Sequence, residues 1–260
     1  MRELKLHTAE FERAVGRVLA SSRRDASDVM YRLMRSVMRR VVEITPPGSE
    51  GVKGGTRKAQ QQGQAAVAAD IRKVYGNAGD AYDLLAERSA ARASAFWMLH
   101  KSGDDNAASE MLRSSRGVSF SPFDDGKAHK AMMDKRGRVG GKKGKRPIFY
   151  VRNGKELADY IKEKQSHVYW LAAGWKEAMT KLGGTVPQMI AVHDAPGAIE
   201  FLNEGGRWVL RAHNDVRFAS NVNDLERRIQ WALDSQTQAL IRQWDHFVKN
   251  QAIKQNFKAS

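Results

Sequence analysis

The stretch "VVEITPPGSEGVKGGTRKAQQQGQAAVAADIRKVY", Val41 to Tyr75, decides how the fold is read. A long apolar-periodic run stops at Pro46-Pro47, a glycine-rich basic loop follows, and a new helical pattern begins. Thr45 stands before a proline and is pushed out of the helical region. Gly48, Gly51, Gly54 and Gly55 then read as loop. Thr56 is a candidate N-cap for a second helix over about 57–75, with Val67, Ile71, Val74 and Tyr75 facing inward.

Upstream, the helical pattern runs over about 8–43. Phe11, Val15, Val18, Leu19, Met30, Leu33, Met34, Val37 and Val41 fall at three- and four-residue steps. Thr8 is a candidate cap, and "SSRRDAS" (Ser21 to Ser27) interrupts the stripe, as a kink or a tandem pair of helices would. Arg23, Arg24, Arg32, Arg35, Arg39 and Arg40 lie on the opposite, solvated face.

Downstream, "GNAGD" (Gly76 to Asp80) breaks the second helix, a third covers about 81–100, and a shorter one covers about 106–113. "IFYVR" (Ile148 to Arg152), "VYWLA" (Val168 to Ala172) and "RWVLRAHN" (Arg207 to Asn214) read as strands. "GWKEAMTKLGG" (Gly174 to Gly184) reads as a helix with a glycine stop. The last helix, over about 223–251, carries the stripe Leu225, Ile229, Ala232, Leu233, Gln236, Leu240, Trp244 and Phe247. These patterns predict a single helix-rich α+β domain over 1–260, with long N- and C-terminal amphipathic helices, a small antiparallel sheet and a long basic loop. Flexible loops are expected at about 46–56 and 114–147.

Composition bounds the function. At 260 residues with 42% apolar content, the chain can bury a core. No run of about 18 apolar residues is present, so no membrane partner is expected. The N-terminal residues lack a signal peptide's apolar centre, so the chain is expected to stay in the cytoplasm where it is made. Without cysteine there is no disulfide, thiolate site or cysteine nucleophile. No two histidines stand at i, i+4 and no HExxH occurs, so neither metal nor cofactor is expected.

Charge is the strongest signal. Lysine and arginine number 44 against 29 acids, a net of +15. Between Arg113 and Tyr150, eleven Lys/Arg stand against three Asp, so more than half of the excess sits in one stretch. Its densest part, "DKRGRVGGKKGKRP" (Asp134 to Pro147), reads as a solvated mobile loop that can order on phosphate. Arg136, Arg138, Lys142, Lys143, Lys145 and Arg146, with Lys53, Arg57 and Lys58 of the first loop, are the candidate contacts to nucleic acid or an acidic partner.

Catalytic patterns are weak. A GxxxxGK[ST] phosphate loop fails because Val139 stands where a glycine is required and Arg146 follows Lys145. "HDAP" (His193 to Pro196) has no nucleophile motif beside it. Asp104-Asp105 and Asp124-Asp125 read as loop acids, and Glu200 and Glu204 as a surface-helix pair. The tryptophans read as core or subunit contacts. No catalytic residue is assigned, and the chain is expected not to be an enzyme.

The opening stretch nevertheless resembles a known family. A long helix, a threonine-proline loop rich in glycine and then a basic helix are similar to the neck or tail-completion (head–tail joining) proteins of long-tailed bacteriophages. Thr45, Pro46, Pro47 and Gly48 match that family's "TPVDTG"-like loop. "WVLRAHNDVRFASNVNDLERR" (Trp208 to Arg228) resembles its second landmark, through Asn214, Phe218 and Ala219. "GWKEAMTKLGGTVPQMIAVH" (Gly174 to His193) is similar to segments of phage morphogenesis proteins. The chain departs from the pattern in its extra proline, its missing aspartate and a large insertion over about 100–145. The resemblance implies a virion protein assembled in the host cytoplasm: a homo-oligomeric ring between portal or adaptor and tail tube or terminator. Thr45 to Gly48 would form its assembly loop, and the basic loops would contact packaged DNA or acidic protein. A minor capsid or head-decorating protein, and a non-sequence-specific DNA-binding protein, are the alternatives.

Overall fold

In the computed structural model the run that stops at the prolines is helix α1 (Ala26–Ile44). The structure describes residues 9, 10, 13, 26–48, 55–134, 137–140, 146–204, 207–217, 219, 222 and 224–256. After the corner come α2 (Gly55–Ile71) and a short strand, β1 (Tyr75–Asn77). Helix α3 (Ala78–Ala86) starts at a capping box, in which the Asn77 and Asp80 side chains each accept the other residue's backbone N–H. Ser89 caps α4 (Ala90–Ser102) and Gly103 ends it in the left-handed region, so the pattern over 81–100 is two helices rather than one. Asp104 caps α5 (Asp105–Arg116). Then follow β2 (Ser119–Ser121), α6 (Lys127–Met132), β3 (Phe149–Val151) and α7 (Gly154–Ser166), the last capped by Asn153. Three short helices, α8 (Trp170–Ala173), α9 (Lys176–Lys181) and α10 (Gln188–Ala191), lead to β4 (Gly197–Glu204), β5 (Arg207–Asn214) and α11 (Leu225–Asn256).

The chain divides into two compact units. The first comprises Met1–Gln60 and Tyr169–Ser260, and the second, Gln61–Val168, is inserted between those segments. In the first unit, α1 packs against α11. Met34, Met38, Val41 and Val42 of α1, and Leu225, Ile229, Ala232 and Leu233 of α11, are buried at helical spacing. Strands β4 and β5 form an antiparallel hairpin with Gly197 opposite Asn214 and Glu204 opposite Arg207.

The second unit holds a three-stranded sheet in the order β1-β3-β2, and both pairings are parallel. Its two apolar clusters follow the alternation along β3. Tyr150 joins Phe120, Leu84, Leu85, Phe96 and Leu112, while Val151 joins Ile71, Val74, Tyr75, Leu157 and Tyr160. Sheet residues thus pack into two separate apolar layers, as expected when helices connect parallel strands.

The helix-rich α+β layout with little sheet holds, but several finer expectations do not. The antiparallel expectation fits β4–β5 alone; helical crossovers between β1, β2 and β3 make the other sheet parallel. "VYWLA" is not a strand. Tyr169 adopts φ +80 and residues 170–173 are helical, because a short, largely buried apolar run suits a helix as well as a strand. Glu200 and Glu204 lie on β4, not on a helix, with Glu200 opposite Arg211. The stretch 114–147 is not one loop: it contains the end of α5, β2, α6 and a bridge between Met133 and Val139. Val139 is buried, and that burial ties the middle of the basic run to the core.

Candidate assembly corner and basic surfaces

The threonine-proline corner is built from buried hydrogen bonds in the first unit. Thr45 is fully buried; its hydroxyl donates to the Val41 carbonyl at 2.7 Å and accepts from the Trp175 indole Nε1 at 3.1 Å. The hydroxyl thus serves both a helix-end carbonyl and a buried indole N–H. The Pro46–Pro47 peptide is cis, and Gly48 N–H closes the turn on the Thr45 carbonyl at 2.9 Å. Only glycine fits at 48, since a Cβ there would stand 2.0 Å from the Glu43 carbonyl oxygen. From α11, Arg228 Nη1 donates to the carbonyls of Ile44 at 2.9 Å and Gly48 at 2.8 Å. A guanidinium suits this position because prolines after the helix supply no N–H for its last carbonyls.

The second landmark reaches the same place. Asn214 Nδ2 donates to the Leu171 carbonyl at 2.7 Å, and Asn214 Oδ1 accepts from Val216 N–H at 3.3 Å. Its carboxamide lies so close to Gly174 that a Cβ there would meet Asn214 Oδ1 at 2.2 Å. Gly174 abuts Asn214, and its neighbour Trp175 bonds Thr45. The Gly174-Trp175 step therefore links the two landmarks, which stand far apart in the sequence. Ala219 N–H closes a turn on the Val216 carbonyl at 2.8 Å. Phe218 lies outside the described residues.

Beside the corner is a cavity of about 780 Å³. Arg35, Arg39 and Arg40 line one side; Gly48, Thr56, Tyr169 and Met179 are among its other walls. Glu43 accepts from Arg39 Nε at 3.1 Å and from Arg40 Nη1 at 3.0 Å, and Arg40 also lies over the Trp231 ring at 4.5 Å. Arg35 Nε donates to the Leu182 carbonyl at 2.6 Å. Arg57 and Lys58 stand in the first turn of α2, where cations oppose the helix dipole and contribute nothing to helix stability. Lys53, Arg136, Lys142, Lys143 and Lys145 lie outside the described residues. Arg138 is exposed in a tight loop in which Asp134 N–H donates to the Arg138 carbonyl at 2.8 Å. Arg146 pairs with Glu87 at 2.7 Å.

A polar cluster in the second unit has no counterpart among the sequence motifs. His129, 3% exposed, places Nδ1 3.1 Å from the Tyr160 hydroxyl and Nε2 3.6 Å from Asp70 Oδ2. Asp70 also accepts from Val139 N–H at 2.9 Å and Lys73 Nζ at 2.8 Å. The Tyr75 hydroxyl donates to Asp124 and accepts from His129 N–H. Burial, then the bond to Asp124, pushes the Tyr75 hydroxyl up, so it stays a donor. Burial alone would raise the Asp124 carboxyl, but bonds from Tyr75, Ala128 and Gly126 outweigh it and hold that carboxyl low. These residues tie α6 and the Val139 segment to the sheet, and none of them lines the cavity beside the corner. Their signal in the sequence is slight, because they are single polar residues dispersed over some ninety positions.

Among the described residues no group of three or more His, Cys, Asp or Glu is placed to hold a metal ion, and no helix is long and apolar enough to cross a membrane. Comparison with protein-family models, curated proteins and solved structures returned no match.

Proposed function

We propose that this chain is a structural subunit of a long-tailed bacteriophage particle, acting in head–tail joining or tail completion as a ring-forming neck subunit with no enzymatic activity. One observation carries the reading. Thr45, Asn214 and the Gly174-Trp175 step come from the three stretches that resemble phage assembly proteins, and all are joined in one unit. They fix the corner after α1 to the hairpin, and Arg228 fixes it to α11, which gives those segments a shared structural purpose.

The inserted unit is an elaboration on that frame, with its own core. The partners proposed are further copies of the chain, portal or adaptor, tail tube or terminator, and packaged DNA. A minor capsid or head-decorating role is the neighbouring reading within the same particle. Non-sequence-specific DNA binding by the free protein is favoured by a separate observation, the three arginines along one wall of the cavity.

The test is immunogold labelling of purified virions with antibody to this chain. Label at the head–tail junction supports the neck reading. Label over the capsid moves the chain to head decoration, and virions free of the chain contradict a structural role.

A further inference from the structure

A second cavity, of about 370 Å³, lies wholly within the inserted unit. Arg88, Arg116 and Arg146 line it, and Arg92 reaches its wall by donating to the Ser115 hydroxyl at 3.3 Å. Among the described residues, one carboxylate makes ion pairs with members of this group, and it touches two of the four. Glu87 Oε2 lies 3.2 Å from Arg116 and 2.7 Å from Arg146. Among the described residues, Arg88 and Arg92 reach serine oxygens rather than a carboxylate. Counted with Glu87 alone, the four arginines leave an excess of three positive charges; the Asp80 carboxylate also acts on Tyr150 in the cavity wall.

Helix ends account for part of this. Arg116 Nη2 donates to the Leu84 carbonyl near the end of α3, and Arg88 Nη1 reaches the Ser115 carbonyl at the end of α5 at 3.4 Å. Cations at helix C-termini are stabilising. That purpose needs neither Arg92 nor Arg146. It also does not explain Arg116 Nε, which is buried without a hydrogen-bond partner on a side chain only 9% exposed. Four guanidinium groups gathered at one cavity repel one another. Leu84, Val118, Pro147 and Tyr150 give the cavity an apolar floor, which strengthens electrostatics at its rim.

We propose that this cleft binds phosphate groups, and that their source is the nucleic-acid backbone. Arginine forks match phosphate oxygens in pairs and keep their charge throughout the physiological pH range. The favoured source is a polymer, because a net +15 across the chain attracts a polyanion over a long range. The inference goes beyond the particle reading and stands without it, since a DNA-binding protein outside any particle would use the cleft in the same way.

The test is anisotropy of a labelled duplex of arbitrary sequence, titrated with the full chain across a potassium chloride series. Arg88→Gln with Arg92→Gln should weaken binding and reduce the slope of log affinity against log salt by about 1.8, roughly 0.9 for each phosphate left without its arginine. Lys155→Gln with Lys162→Gln removes the same charge from exposed positions on α7 and should leave the slope nearly unchanged. Equal losses from the two pairs would overturn the proposal. Glu87→Gln removes the competing carboxylate and should tighten binding several-fold. This arm stays decisive if the arginine pair lowers stability, and unchanged or weaker binding by Glu87→Gln overturns the cleft. Polyglutamate bound as tightly as duplex would make the cleft an acidic-protein site, and tripolyphosphate bound without duplex would make it a free-phosphate site. Either result overturns the nucleic-acid assignment.

Discussion

At the residue scale, Thr45 is the smallest group on which the corner depends. Thr45→Val keeps the shape but leaves the Trp175 indole N–H buried without an acceptor. It should lower stability by about 1–3 kcal/mol, read as a shift in urea midpoint at constant m. His129 gives a pH-dependent prediction. Burial holds its imidazole below the ordinary range; the Asp70 carboxylate opposes this and Lys164 adds to it. The unfolded chain therefore takes up this proton at a higher pH than the folded chain. The contribution is complete above an imidazole's ordinary value of about 6.5, and is lost as pH falls through that value towards the folded one. The wild type should lose more stability between neutral and mildly acidic pH than His129→Gln. Identical losses would mean that His129 does not report burial.

At the element scale, the hairpin end and α8 meet through a glycine. Gly174→Ala should cost about 1–3 kcal/mol by forcing Asn214 aside. Asn214→Ala should then cost less in the Gly174→Ala background than in the wild type, because one displacement has already broken the bond to Leu171. Additive costs in a double-mutant cycle would refute this coupling.

Elements are also where the sequence is most and least legible. Helices α1 and α11 show in the sequence because Met34 and Val41, and Leu225, Ile229 and Ala232, stand at helical spacing and are buried, although α1 buries Met38 where the stripe places Val37. Strands β1 and β2 do not show: three residues cannot display a two-residue period, and Tyr75 also continues the stripe of the preceding helix. Strand β4 reads as helix from its glutamate spacing, although Gly205-Gly206, a hairpin dipeptide, stands just before "RWVLRAHN". The candidate site divides likewise. Thr45 to Gly48 and Asn214 are visible as motifs, whereas Trp175, Arg228 and Gly174, which hold them, are brought there only by tertiary structure.

At the scale of the whole molecule, the inserted unit and the basic run separate folding from function. Replacing Lys142, Lys143, Lys145 and Arg146 with glutamine removes four charges from the densest basic run and changes no apolar residue. The chain should fold with an unchanged circular dichroism spectrum and melting temperature. Assembly or genome retention should fall, counted as filled particles by electron microscopy. Normal particles that hold their DNA would show that this run has no part in assembly.

The central claim, a subunit of the head–tail junction, is tested most directly by electron microscopy of lysates from a phage that lacks this chain. Filled heads beside unattached tails are the predicted result. Normal, infectious virions would contradict it.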